Sequence, residues 1–248
     1  MNPAPAAVLP EGDAKRRAVL PEGDAKRRAV RAMFDTIAPR YDLVNRIMTF
    51  GMDRGWRRAA VRGLGLPAGA RVLDVACGTG DLCRDLAAAG HRPVGVDLSA
   101  GMLRHARTGA PLVHADALRL PMADESIDGA VSGFALRNFV ALPPLFAELH
   151  RVLRPGGRIS LLDVAAPTQP ILRAGHAVYF GRVVPLVGAA LSDAAAYRYL
   201  PRSVAYLPPP DELLAELRTA GFTAVERRTL SGGITQLLSA TRGGERGR

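Results

Sequence analysis

Lysine, cysteine and aromatic residues are scarce in these 248 residues, and each shortage excludes something. Cys77 and Cys83 are the only cysteines. They lie away from any second Cys or His cluster, which excludes a disulfide scaffold and a cysteine-based zinc site and suits a reducing compartment. No metal site is expected. Aromatics make up 5% of the chain, and no interleaved basic-aromatic patch or recognition module appears, so a nucleic-acid partner is not expected. No segment reaches the roughly 18 uninterrupted apolar residues of a membrane span. The best candidate, Val183–Leu191, is short and holds Pro185. Met1–Arg17 carries acids and lacks an apolar signal core, so export is not expected and a cytoplasmic location is.

What is present is arginine. Lys+Arg number 33 against 23 Asp+Glu, a formal net charge of +10, and only Lys15 and Lys26 are lysines. With Ala and Gly also abundant, this bias fits GC-rich coding as well as it fits a chemical demand. The sign alone admits nucleic acid, an anionic membrane surface or no particular partner. At 48% apolar, the chain is long enough to bury a full core, and wholesale disorder is excluded.

The first residues repeat. Ala7–Arg17 reads AVLPEGDAKRR, and Ala18–Arg28 reads it again. Pro10, Gly12, Pro21 and Gly23 oppose one continuous helix, and two copies are too few for a solenoid. Residues 1–28 are therefore expected to form a mobile basic arm ahead of a single domain, 29–248. Helical spacing of Met33, Ile37, Tyr41 and Val44 predicts helices over 29–62, broken near Thr49–Gly51. Strands are expected at Arg71–Val75, Pro93–Val96, Leu112–His114, Ile127–Gly133 and Arg158–Val164, alternating with helices through residue 165. Repeated βα units imply a doubly wound, Rossmann-like parallel sheet. Residues 166–210 read as a helical cover inserted after the fifth strand. Asp211–Ala220 reads as a helix capped by Asp211, and closing strands follow to residue 241.

The strongest chemical signal is Val72-Leu73-Asp74-Val75-Ala76-Cys77-Gly78-Thr79-Gly80-Asp81. An apolar strand enters a turn with two glycines and leaves into a helix, and Gly78 and Gly80 permit close approach of a ligand to the backbone. Cys83 stands where a dinucleotide fingerprint wants its third glycine, and no Gly-Lys-Ser/Thr follows, which excludes a P-loop. Asp97 ends the second strand, where an acid can take two ribose hydroxyls. Asp116-Ala117 follows the third strand, where a carboxylate and an amide can read an adenine edge. Either aspartate alone could instead make an Asx turn. Together, at successive strand ends, they point to a nucleoside cofactor.

These residues resemble a class I S-adenosylmethionine-dependent methyltransferase. Further segments narrow the likeness: Met33-Phe34-Asp35, Ala38-Pro39-Arg40-Tyr41-Asp42, Asn45-Arg46, Phe50-Gly51 and Trp56-Arg57-Arg58. Gly133-Phe134-Ala135-Leu136-Arg137-Asn138 and Ala196-Tyr197-Arg198-Tyr199-Leu200-Pro201 continue it. Together they resemble the ubiquinone/menaquinone biosynthesis C-methyltransferases, nearest to the branch acting on demethylmenaquinone, over roughly Leu20 to Thr241. Ala135 stands where the family usually has Gly, and Asp163 where it often has Glu. The first repeat copy has no counterpart in the family.

The resemblance implies S-adenosylmethionine as cofactor, with Thr79, Asp97, Asp116 and Ala117 as contacts and Gly78 and Gly80 shaping the methionine-binding turn. Asp74 takes the cofactor's ammonium or caps the glycine loop. The implied acceptor is a ring carbon of a prenylated quinol. Arg137 then offers a cationic fork to the ring oxyanion and Asn138 orients a water or hydroxyl. A salt bridge and a helix cap are the alternatives for these two. Tyr41, Tyr197 and Tyr199 line the quinol pocket or pack as plain amphipathic residues. A lipid-soluble acceptor implies peripheral contact with an anionic membrane, through Tyr179–Leu191 and the flanking Arg173 and Arg182, unless that stretch is a lid. A homodimer stays open. A benzoquinol or another phenolic or lipid acceptor, RNA methylation and non-catalytic cofactor binding are the competing readings.

Overall fold

Val72, Leu73 and Val75 are all completely buried, the pattern of a strand covered on both faces. In the computed structural model, which describes residues 22–165, 167, 169, 179 and 203–244, this strand is β1 (Arg71–Val75), central in a seven-stranded sheet. The other strands are β2 (Arg92–Asp97), β3 (Leu112–His114), β4 (Ile127–Gly133), β5 (Leu153–Val164), β6 (Phe222–Leu230) and β7 (Thr235–Arg242). Their order is β3-β2-β1-β4-β5-β7-β6, with β7 antiparallel to both its neighbours and the other pairings parallel. The order reverses between β1 and β4, and such a switch point opens a crevice at the carboxyl ends of the strands.

Seven α-helices are described: α1 (Gly23–Ile37), α2 (Tyr41–Met48), α3 (Asp53–Leu64), α4 (Asp81–Ala88), α5 (Ala100–Arg104), α6 (Leu142–Val152) and α7 (Pro210–Thr219). Alternate residues of the strands serve opposite faces. Val72 and Val131 meet Val61 and Leu64 of α3 and Leu82 and Leu86 of α4. Leu73, Val75, Ile159 and Leu161 pack instead with Leu145, Phe146 and Leu149 of α6 and Leu213 and Leu217 of α7. Each such large side chain, fully buried, contributes about 1.5–3 kcal/mol. The doubly wound fold expected from the alternation is present.

Three expectations change. Helix is already present from Gly23, inside the second repeat copy and ahead of residue 29. Gly23 opens a helix instead of interrupting one: Glu22 ahead of it is extended, and the helix runs on through Lys26 and Arg27. Asp211 does not cap α7; Pro209 holds that position, and Asp211 sits in the first turn, where its charge complements the helix dipole. The fifth strand starts at Leu153, because Leu153 pairs with Ile127 before a bulge restores register at Gly129–Arg158. The first repeat copy, the expected cover over most of 166–210, Tyr197, Tyr199 and the proposed membrane stretch (except Tyr179) lie outside the described residues.

Candidate active site

Two cavities meet at the switch point. The larger encloses about 530 Å³, within the range of small-molecule and cofactor sites. The smaller encloses about 100 Å³. Tyr41, Ala76, Gly78, Gly133 and Phe134 line both.

The smaller cavity is built at the ends of β2 and β3. Asp97 is half-buried there, and its carboxylate accepts the Gly78 N–H at 2.8 Å and the Ser99 N–H at 2.7 Å. It therefore ties the glycine turn to β2. Burial raises its pKa, and the two amide bonds work against that rise. Asp116 lines the same cavity, makes the Asx turn to the Leu118 N–H at 3.0 Å, and pairs with Arg27 of α1 at 3.0 Å. Ala117 is buried beside it. Arg27, Val30, Arg31 and Phe34 bring α1 across this cavity as a wall.

Gly78 and Gly80 have different reasons for being glycine. Both have positive φ, +55° and +82°. A Cβ on Gly80 would meet Thr108 Cγ2 at 2.7 Å, and Gly80 lines neither cavity. Its role is to pack the turn, whereas Gly78 lines both cavities. Thr79 faces the larger cavity, with its hydroxyl bonded to Asp42 of α2.

Asp74 is fully buried and lines the larger cavity. Its Oδ2 accepts the Cys83 thiol at 3.3 Å, while Oδ1 has no hydrogen-bond partner among the described residues. Burial, then the neighbouring Cys83, push its pKa well above the usual carboxylate range. A buried acceptor left open costs about 1–3 kcal/mol unless a ligand completes it. The glycine turn, the open Asp74 oxygen and Asp97 together fit a nucleoside that carries a cationic amino-acid tail spanning the two cavities.

Opposite the turn, the 3-10 segment Leu136–Asn138 follows β4. Arg137 is buried and lines the larger cavity. It forms an ion pair with the fully buried Asp163 of β5, and its Nη1 also donates to Phe134 O at 2.8 Å, its Nε to Ser203 Oγ at 3.1 Å. Nη2 has no partner among the described residues. Asn138 faces the smaller cavity instead. Consecutive residues of a 3-10 turn point about 120° apart, which separates the two. Ala135 also lines the smaller cavity, so its methyl group narrows that side and leaves Arg137 seated on Asp163.

Tyr41 stands where the cavities join, and burial raises its pKa. Trp56 and Phe134 make an edge-to-face pair at 5.9 Å in the wall of the larger cavity. Asp53 and Asp81 also line it; both pair with Arg57, and Arg57 reaches Asp85 at 2.9 Å as well. Burial lifts the Asp81 pKa against the pull of Arg57 and Arg84.

Sequence reasoning missed Lys26. It is 4% exposed, donates to Phe139 O at 2.6 Å and lies 3.6 Å over the Tyr206 ring. It thus fastens α1 to the end of the Leu136–Asn138 turn. Burial lowers its pKa from 10.5 to about 8. The folded chain therefore holds fewer protons than the unfolded chain between those values, and Lys26 favours folding increasingly as pH rises through that window. The stability of the wild type relative to Lys26→Met should grow between pH 8 and 10 by up to about 1.4 kcal/mol per pH unit. Denaturant titrations that run parallel across this window would refute the assignment.

The family model described as the ubiE/COQ5 methyltransferase family matches residues 22–242. The ubiquinone/menaquinone biosynthesis C-methyltransferase UbiE of Syntrophotalea carbinolica is 45% identical over 221 residues, 86% of this chain and 93% of that protein. The demethylmenaquinone methyltransferase of Roseiflexus castenholzii is 44% identical over 223 residues, 87% and 94% of the two chains. Among solved structures, a SAM-dependent methyltransferase from Thermotoga maritima superposes with a TM-score of 0.61 at 18% identity, covering 86% of this chain and 99% of that one. That likeness shows the fold, while the match along nearly the whole described sequence decides the rest: the chain belongs to the ubiE/COQ5 methyltransferase family.

Proposed function

We propose that this protein transfers a methyl group from S-adenosylmethionine to a ring carbon of demethylmenaquinol. The observation that carries the reading is the junction of the two cavities, where the glycine turn and the strand-end aspartates meet an apolar chamber with a buried arginine on its wall. The relatives' names supply the acceptor class. When bound, S-adenosylmethionine supplies a methyl group already activated on a sulfonium. The protein's own work is alignment, exclusion of water and management of charge on the acceptor.

Asp97 takes the ribose hydroxyls, Asp116 and Ala117 meet the base, Gly78 and Thr79 shape the turn, and Asp74 receives the ammonium. Arg137 holds the ring oxygen as its proton leaves and negative charge develops there. Once the ring carbon has taken the methyl group from sulfur, the hydrogen that carbon carried leaves as a proton and the oxygen is reprotonated, which restores the aromatic quinol. Arginine stays protonated, so it is not the base. Asp81 is the proton acceptor best placed: it lines the larger cavity, and its raised pKa brings it closer to that of the proton it must take. Tyr41 walls the point of transfer. Asn138 serves the cofactor side, since it faces the smaller cavity.

The experiment is a competition between reduced demethylnaphthoquinol and a reduced benzoquinol under single-turnover conditions, with products identified by mass. Methylation of the naphthoquinol at least tenfold faster is expected. Preference for the benzoquinol would move the acceptor to the ubiquinone side.

A further inference from the structure

Folding normally buries large apolar side chains, yet four close neighbours are left in solvent at one edge of the larger cavity. Leu43 and Ile47 lie one turn apart on α2 and are 54% and 42% exposed, while Phe50 and Met52 in the following turn are 74% and 39% exposed. The Tyr179 ring touches Phe50 at 5.6 Å between centroids and still leaves it open. Phe50 also has a φ of +51°, a left-handed conformation that a bulky residue rarely adopts. The backbone thus holds this ring outward at some cost. Phe50 and Met52 line the larger cavity as well. A residue that is both cavity wall and open surface marks the mouth, so the patch surrounds the entrance.

The exposed charge around the patch is predominantly positive. Arg46 lies on α2 one turn from Leu43, Arg54 follows Met52 by two residues, and Arg58 is one turn further along α3. All three are exposed, and none forms an ion pair among the described residues. The acids nearby are engaged elsewhere: Asp53 with Arg57, and Asp42 with Thr79. An apolar tip with unneutralised arginines beside it is complementary to a bilayer whose headgroups are anionic and whose interior is apolar.

We propose that the surface formed by Leu43, Ile47, Phe50 and Met52, with Arg46, Arg54 and Arg58, docks on an anionic lipid bilayer and draws the acceptor from it directly into the larger cavity. This rests on the lipid-tailed acceptor of the preceding subsection. The docked face places the cavity mouth against the lipid, so an apolar tail never crosses water and remains in the membrane while the ring enters. No helix among the described residues is long and apolar enough to cross a membrane, so the contact is interfacial.

The test is flotation of the full chain with vesicles of phosphatidylcholine, alone or mixed with phosphatidylglycerol. Two variants avoid the catalytic groups and the cavity lining: Leu43→Ser/Ile47→Ser and Arg46→Gln/Arg54→Gln/Arg58→Gln. The wild type should float with the mixed vesicles, less so as salt rises, and the arginine variant should bind about a hundredfold more weakly. The serine variant should also lose binding. Wild type that ignores anionic vesicles, or variants that float as it does, would overturn the proposal. So would a wild-type dimer that becomes monomeric in the serine variant without any vesicle binding, since a second copy would then cover the patch. Methyl transfer to a short-tailed, water-soluble demethylnaphthoquinol, measured alongside, should be equal in all three proteins. Absence of transfer there counts against the acceptor reading alone, because vesicle binding is scored without turnover.

Discussion

Arg137→Gln is expected to lower turnover about 10²–10³-fold while leaving cofactor affinity within about threefold. The effect would arise in the proposed reaction because Arg137 lines the larger cavity with Nη2 left without a partner among the described residues, while Nη1 and Nε are committed to Asp163, Phe134 O and Ser203. Those bonds fix the guanidinium, so the free end meets a developing oxyanion without reorganising. Glutamine lacks the charge and the fork. It also strands Asp163, which is completely buried, and an uncompensated buried charge costs about 3–5 kcal/mol. The double variant Arg137→Gln/Asp163→Asn separates the two consequences. It should recover most of the lost stability in denaturant titration and none of the lost turnover. If turnover and cofactor affinity fell together in this well-folded variant, Arg137 would be a structural residue.

Asp97→Ala should weaken S-adenosylmethionine binding about a hundredfold, measured by calorimetric titration. Two charge-assisted bonds to ribose hydroxyls account for this at about 1.5 kcal/mol each. The carboxylate also accepts the Gly78 and Ser99 N–H groups, so alanine frees the glycine turn as well. Asp97→Asn keeps an acceptor for one of these contacts and should cost nearer tenfold, with a melting temperature close to that of the wild type. Unchanged affinity in both variants would remove Asp97 from the cofactor site. Asp116→Asn is a contrasting case, since its carboxylate is already shared between the Leu118 amide and Arg27.

Much of this architecture can be read in the sequence because it is local. The apolar run Val72–Val75, the glycines behind it and the helix after it follow from spacing and backbone chemistry within a dozen residues. Asp97 and Asp116 were legible because strand ends in a doubly wound sheet converge. Long-range pairing was not legible. Lys26 meets the carbonyl of Phe139, 113 residues away, and Arg27 meets Asp116, 89 residues away; nothing in the local pattern of a basic repeat separates a buried lysine from a solvated one. The repeat's proline and glycine read as breakers, yet in the second copy Gly23 is the first residue of a helix. Asp163 stood out in the sequence only as a departure from family usage, and its partnership with Arg137 depends on the β4–β5 pairing. Arg137 and Asn138 looked like a unit because they are adjacent, and the tight turn sends them to different cavities. Gly80 looked like a ligand-approach glycine, and its real neighbour is Thr108.

The measurement that tests the central claim most directly is transfer of labelled methyl from S-adenosylmethionine into chemically reduced demethylmenaquinone, with the oxidised quinone as a parallel reaction. A ring carbon becomes nucleophilic only when the neighbouring oxygen can release a proton and push electron density into the ring. Label is therefore expected in the quinol and absent from the quinone. Label in neither, from protein that binds the cofactor, would contradict the acceptor; equal label in both would contradict the role given to Arg137 and the oxyanion.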